Sequence, residues 1–127
     1  AAQLGSTSLA LRWLRLVKLA GPLREIGQLA RADREILAVA VSSANICPYC
    51  IAHHGEALKN TQAQVDTTKS KALELLAEVL TKTPWKASSL HDDFLATGFT
   101  EAQWQHAIMV FHILILLIAV STQEDWI

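Results

Sequence analysis

Arg34-Glu35-Ile36-Leu37-Ala38-Val39-Ala40-Val41-Ser42-Ser43-Ala44-Asn45-Ile46 runs straight into Cys47-Pro48-Tyr49-Cys50-Ile51-Ala52-His53-His54-Gly55-Glu56-Ala57-Leu58, and the reading of this stretch decides the fold. It holds both cysteines of the chain in C-x-x-C spacing, with His54 four residues after the second. Two cysteines placed this close suit a thiol–disulfide redox centre better than a structural staple. Pro48 lacks an N–H and fixes its own φ, which suits the first position of a helix. It also biases Cys47 away from the α region, so Cys47 reads as an N-cap and Cys50 as the third helical residue. The free N–H groups and positive dipole end of that helix favour an anion, and a thiolate is one. Cys50 and His54 share a helix face, so His54 can exchange a proton with the thiols. His53 points about a quarter turn away.

Other readings compete. The cysteines can be small core residues, since cysteine is often buried as a hydrophobe. A zinc site from Cys47, Cys50, His53 and His54 is disfavoured, because one helix does not easily aim four ligands at one point. Glu35 precedes Cys47 by a span that a straight helix would stretch to about 18 Å. Spacing alone therefore leaves Glu35 a solvated acid in the first turn of a helix capped by Asp33. It meets His54 only if the second helix folds back along the first.

Together these residues resemble the alkylhydroperoxidase D family, within the carboxymuconolactone decarboxylase-like superfamily. The family pattern is a glutamate, eleven residues, C-x-x-C, three residues and a histidine. Glu35, Cys47, Cys50 and His54 fit it without a gap. The close resemblance spans residues 33–58, and a looser one continues through Gly98-Phe99-Thr100-Glu101 and the apolar stretch after it. The best-known alkylhydroperoxidase D carries a histidine where Tyr49 stands, while many small peroxidase-related members read C-P-Y-C as here. Tyr49, with a reference pKa of about 10, supplies no base at neutral pH and is read as a hydrogen-bond donor. The resemblance implies an all-α, multi-helix domain with the C-x-x-C at a helix N-terminus. It implies that Cys50 is the peroxidatic thiol and becomes a sulfenic acid. Cys47 would be the proton donor and resolving thiol, closing a Cys47–Cys50 disulfide, with Glu35 and His54 as the proton relay. A hydroperoxide substrate, an outside thiol reductant or partner redox protein, and a trimer or hexamer are implied as well; a metal or organic cofactor is not.

The 127 residues read as one domain, 1–127. Eleven Lys and Arg against twelve Asp and Glu give a net charge of −1, and no basic patch argues for nucleic acid. A hydrophobic content of 51% is more than a lone domain of this size readily hides, so a homo-oligomer is expected. Residues 9–20 are amphipathic and basic; their charges interrupt any secretory apolar core, and they read as a helix covering the domain. A cytoplasmic location suits a catalytic C-x-x-C.

No run alternates with period two, and no hairpin signal is present. Helices are predicted over 8–20, stopped by Gly21-Pro22; in a short turn through Leu23, Ile26 and Leu29; over Arg34 to Asn45; and from Pro48 to Lys59. A polar loop over 60–68 follows. Ala72, Leu73, Leu76, Val79 and Leu80 then mark a helix ended before Pro84. Ser89 with Asp92 predicts a capped short helix ending at Gly98. Thr100 with Gln103 predicts a capping box opening a helix to about Val120. Its stretch Ala107–Val120 is almost wholly apolar, more so than in family members, yet shorter than the roughly 20 residues of a bilayer span. It reads as a buried helix at a subunit interface, not a membrane segment. His106 and His112 read as packed or hydrogen-bonded, His91 as a surface residue, and Trp13, Trp85, Trp104 and Trp126 as core or interface anchors.

A thiol peroxidase is the leading expectation. A thiol–disulfide adaptor feeding a partner peroxidase uses the same cysteines. A lactone decarboxylase of the wider superfamily does not rely on C-x-x-C, and a non-catalytic helical binding domain would leave both cysteines incidental.

Overall fold

The computed structural model describes residues 29–124, with side chains to residue 120. The expectations for residues 8–20, Gly21-Pro22, Leu23, Ile26, Trp13 and Trp126 lie outside them. The described residues are all-α: α1 (Arg31–Ala44), α2 (Pro48–Asn60), α3 (Thr67–Lys82), a 3-10 segment (Pro84–Leu90), α4 (His91–Ala96) and α5 (Glu101–Glu124). α1 is the central element and packs against α2, α3 and α5. Its Leu37, Ala38 and Val41 are buried with Leu73, Leu76 and Ala77 of α3 and Ala107, Val110 and Leu114 of α5. Each set recurs at the three- and four-residue steps of one helix face.

The turn between α1 and α2 fixes the rest. Ile46 N–H donates to the Ser43 carbonyl at 3.2 Å, and Cys47 N–H to the Ser42 carbonyl at 3.0 Å. This pair of bonds is a Schellman motif, which satisfies the last carbonyls of a helix and requires a left-handed residue just past its end. That residue is Ile46, at φ +52°. Glycine normally stands there, and a β-branched residue is strained in this region. The same Cys47 that closes α1 opens α2 as its N-cap, with Pro48 next. The chain therefore doubles back, and α2 lies along α1.

Several local expectations change. α1 starts at Arg31, its N-cap is Ala30 with no side-chain bond, and Asp33 lies within the first turn instead of capping it. Arg34 holds this start by donating from its guanidinium to the Leu29 carbonyl at 3.0 Å. Burial raises the Asp33 carboxyl above its ordinary range; Lys69 opposes this and Asp66 adds to it. Glu35 consequently falls in the second turn, and it is buried, not solvated. Asp66 caps α3, its carboxylate accepting from Thr68 and Lys69 N–H at 2.9 and 3.2 Å. Ser89 does not cap α4: its hydroxyl donates back to the Lys86 carbonyl at 2.6 Å, inside the 3-10 segment. The Thr100–Gln103 box forms in both directions, at 3.2 and 2.8 Å. Gly98, at φ +110°, lets the chain leave α4, and a Cβ there would sit 3.3 Å from Lys69 Cε. The Lys69 ammonium lies over the Phe99 ring.

α5 buries one face, including Trp104, His106, Ala107, Val110, Phe111 and Leu114, and leaves Met109 and Leu116 exposed. The helix outruns the apolar stretch, and by length and composition alone Glu101–Val120 could cross a bilayer, with 33% of the apolar window buried inside the domain. His106 Nδ1 accepts from Leu29 N–H at 3.1 Å, and His112 Nδ1–H donates to the Ile108 carbonyl at 2.8 Å. Trp104 packs edge-on against Phe94 and His91, whereas Trp85 is 75% exposed on the 3-10 segment and anchors no core. His91 is half-buried and engages two carboxylates, Glu101 and Asp92.

The strain at Ile46 predicts that Ile46→Gly stabilises the protein by about 1 kcal/mol, the left-handed penalty less the flexibility glycine adds to the unfolded chain. Chemical denaturation of the two proteins checks it; an unchanged or lower stability refutes the strain. A second prediction concerns pH. Hydrogen bonds to Glu101 and then Asp92 raise the His91 pKa above its ordinary 6.5. The resulting stabilisation is complete below pH 6.5 and disappears as pH rises through the raised value. Thermal midpoints should therefore fall more between pH 6 and the alkaline side in the wild type than in His91→Gln.

Candidate active site

Cys47 and Cys50 are joined as a disulfide, their Cα atoms 5.3 Å apart. The Cys47 sulfur also receives the Cys50 N–H at 3.4 Å, the N-cap bond that a hydroxyl or carboxylate usually accepts. The two sulfurs differ in setting. Cys50 is 9% exposed and is the one residue of α2 that is buried. Cys47 is half-buried, and Ile46, Pro48 and Tyr49 around it are exposed.

His54 follows Cys50 by one helical turn. Its Nδ1 lies 2.8 Å from Glu35 Oε2, and both side chains are 12% exposed. With Glu35 ionised, Nδ1–H donates to the carboxylate and Nε2 becomes the basic nitrogen. Cys50, His54 and Leu58 form one stripe at four-residue steps on α2, with Leu58 packed against the core. α2 thus docks on α1 through a stripe that includes the candidate residues Cys50 and His54. Tyr49 is 67% exposed and stacks on His53, with ring centroids 6.2 Å apart.

All four residues singled out from the sequence are therefore assembled at one helix–helix contact. For the zinc reading, both sulfurs are used in the disulfide, His54 is turned to Glu35 and His53 to Tyr49. No group of three or more His, Cys, Asp or Glu among the described residues is disposed to hold a metal ion. Sequence reasoning missed Ile46, whose backbone sets the turn; the usual signal, a glycine after the helix, is missing there. It also missed Asn45, whose side-chain amide donates to the Val41 carbonyl at 2.8 Å and reaches Thr81 of α3. Beside the site, an open groove of about 570 Å³ runs between α1 and α3 over Ile36, Val39, Ala40 and Leu58. Ser70 lines it with a buried hydroxyl that lacks a hydrogen-bond partner.

Because α2 buries so little, the Glu35–His54 bond should matter for its docking. Glu35→Leu is expected to cost about 1.5–3 kcal/mol, the range for a hydrogen bond to a charged group. Glu35→Gln, which keeps an acceptor, should cost less. Urea unfolding of the three proteins decides it; equal stabilities would show that the pair contributes nothing.

The sequence pattern of the carboxymuconolactone decarboxylase family matches residues 14–84, more than half of the chain. That span contains α1, α2 and α3 and all four candidate residues. No curated protein matches the chain. The family match and the helical C-x-x-C domain agree, and the chain belongs to the carboxymuconolactone decarboxylase family.

Proposed function

We propose that the protein is a thiol peroxidase of the alkylhydroperoxidase D type. The observation that carries this reading is the buried Glu35–His54 pair, one helical turn from Cys50, beside a C-x-x-C disulfide. In the reduced protein His54 Nε2 takes the Cys50 proton, and Glu35 stabilises the imidazolium through Nδ1–H. The Cys50 thiolate attacks the outer oxygen of a hydroperoxide. The O–O bond breaks, an S–O bond forms, and the departing alkoxide takes a proton from His54 or the Cys47 thiol to leave as an alcohol. Cys47 then attacks the Cys50 sulfenic acid, expels water and closes the disulfide before further oxidation. A dithiol reductant restores both thiols by exchange. Two thiols and a proton carrier complete this cycle, so it calls for no metal or organic cofactor.

A second reading, a thiol–disulfide adaptor for a partner peroxidase, draws support from Cys47. Its sulfur has a backbone donor and exposed neighbours, an arrangement suited to exchange. A homo-oligomer, a trimer or hexamer by family resemblance, is part of the proposal; the exposed Met109 and Leu116 on α5 support it.

The test is intact mass and thiol counting after one equivalent of cumene hydroperoxide, on reduced wild type, Cys47→Ser and Cys50→Ser. Loss of two hydrogens in the wild type, with a trappable sulfenic acid only where Cys50 remains, is expected. His54→Gln should slow Cys50 oxidation about 100-fold or more. Full peroxide turnover by Cys50→Ser would refute the peroxidase assignment. Thiols that ignore peroxide but exchange rapidly with a protein disulfide would establish the adaptor instead.

A further inference from the structure

We infer that the oxidised site takes its reductant at Cys47, while Cys50 is kept for the oxidant. The inference rests on the proposed redox cycle and assigns each sulfur a different partner.

The disulfide presents two unequal targets. Thiol–disulfide exchange needs a thiolate in line with the S–S bond, so the attacked sulfur must be open on its far side. Cys50 is buried against α1, in the stripe it shares with His54 and Leu58. Cys47 sits at the apex of the Schellman turn, between Ile46, 84% exposed, and the exposed Pro48 and Tyr49. A thiol on a body as large as a peptide has an open approach at Cys47 alone. A hydroperoxide presents only a terminal oxygen and makes the smaller demand on space at Cys50.

The electrostatics of the two sulfurs fit this division. In the first step the reductant thiolate bonds to Cys47 Sγ, the Cys47–Cys50 bond breaks, and its electron pair goes to Cys50 Sγ. His54, one turn along α2, can give that sulfur a proton or stabilise its charge. In the second step the other thiolate of the reductant attacks the reductant's own sulfur in the mixed disulfide. The reductant is oxidised to its disulfide, and the electron pair goes to Cys47 Sγ, where the Cys50 N–H is already placed to receive a thiolate at 3.4 Å. Each sulfur thus has its own acceptor of negative charge. The strain at Ile46 fits the same picture, because the left-handed turn is what lifts Cys47 to the apex.

The test forms the disulfide with diamide, so its result does not depend on whether peroxide is a substrate. Oxidised wild type is mixed with glutathione, quenched in acid, alkylated and mapped by peptide mass. Glutathione on Cys47 with Cys50 alkylated, in at least tenfold excess over the reverse, is expected; comparable amounts on both, or a majority on Cys50, overturn the inference. A second measurement covers the case in which the adduct collapses before quenching. Cys50→Ser and Cys47→Ser are each loaded with 2-nitro-5-thiobenzoate on the remaining cysteine, and its release by glutathione is timed. Release from Cys47 should be at least tenfold faster in the folded protein, with the ratio falling toward one in guanidinium. Equal rates in the folded protein overturn the assignment even if peroxidase activity is present. An absence of peroxide reactivity with a clear preference for Cys47 would instead refute the peroxidase reading and leave this one standing.

Discussion

The two backbone hydrogen bonds that close α1, from Ile46 to Ser43 and from Cys47 to Ser42, are the constraint on which the site depends. They make one residue end a helix and begin the next. Without that reversal Glu35 and Cys47 would sit about 18 Å apart along a continuous helix, and Glu35 would have no histidine to meet. With it, the acid from the second turn of α1 meets His54 from the second turn of α2 at 2.8 Å. The cost is a β-branched residue held in the left-handed region, where an L side chain crowds its own carbonyl. A fold that keeps such a conformation at the border of its C-x-x-C has the surrounding hydrogen bonds to hold it.

Much of this was legible in the sequence, and what was not has identifiable causes. Pro48 after Cys47 fixed the start of α2, because proline is tolerated at a first helical position and scarcely beyond it. Thr100 and Gln103 formed the predicted reciprocal cap. The apolar steps of α3 named its buried face almost residue by residue. The turn itself was hidden because its left-handed position holds isoleucine. The start of α1 was misplaced because Asp33 has the side chain of a cap, while the helix begins before it on Arg31 and Ala32, both good helix formers. Ser89 was misread for a similar reason: its hydroxyl bonds backwards in a 3-10 segment that spacing alone does not reveal. The burial of Glu35 is a tertiary fact, and only the family resemblance anticipated its partner.

Two histidines show how burial changes the meaning of one kind of contact. His91 holds Glu101 and Asp92 where α4 and α5 begin, but Asp92 is wholly exposed and Glu101 about half, so water and salt screen the attraction. Such a cluster can pin a corner, but only weakly. His54 meets Glu35 with both side chains nearly covered. In that setting the carboxylate does more than attract. It fixes which ring nitrogen carries the proton and so which one is left as the acceptor. The same pair of residue types therefore serves stability at one place and, in the proposed cycle, proton transfer at the other.

The C-x-x-C helix leans chiefly on one neighbour. Among the described residues α2 packs chiefly against α1, and Cys50 is its single buried residue. Its docking stripe sets His54 between the small Cys50 and Leu58, so the apolar contact is small and the polar contact to Glu35 adds to it. A charge placed on His54 or on the Cys50 sulfur then alters the same surface that seats the helix. Under the proposed cycle, redox state and helix docking are linked through one set of atoms: the oxidised pair is tied at the apex of the turn, and the reduced pair leaves α2 held by the turn, Leu58 and the Glu35–His54 bond. In that cycle the buried acid serves twice, orienting the imidazole and helping to keep α2 in place when the disulfide is open, and a carboxylate that looked solvated by its position in the sequence lies almost wholly covered in the fold.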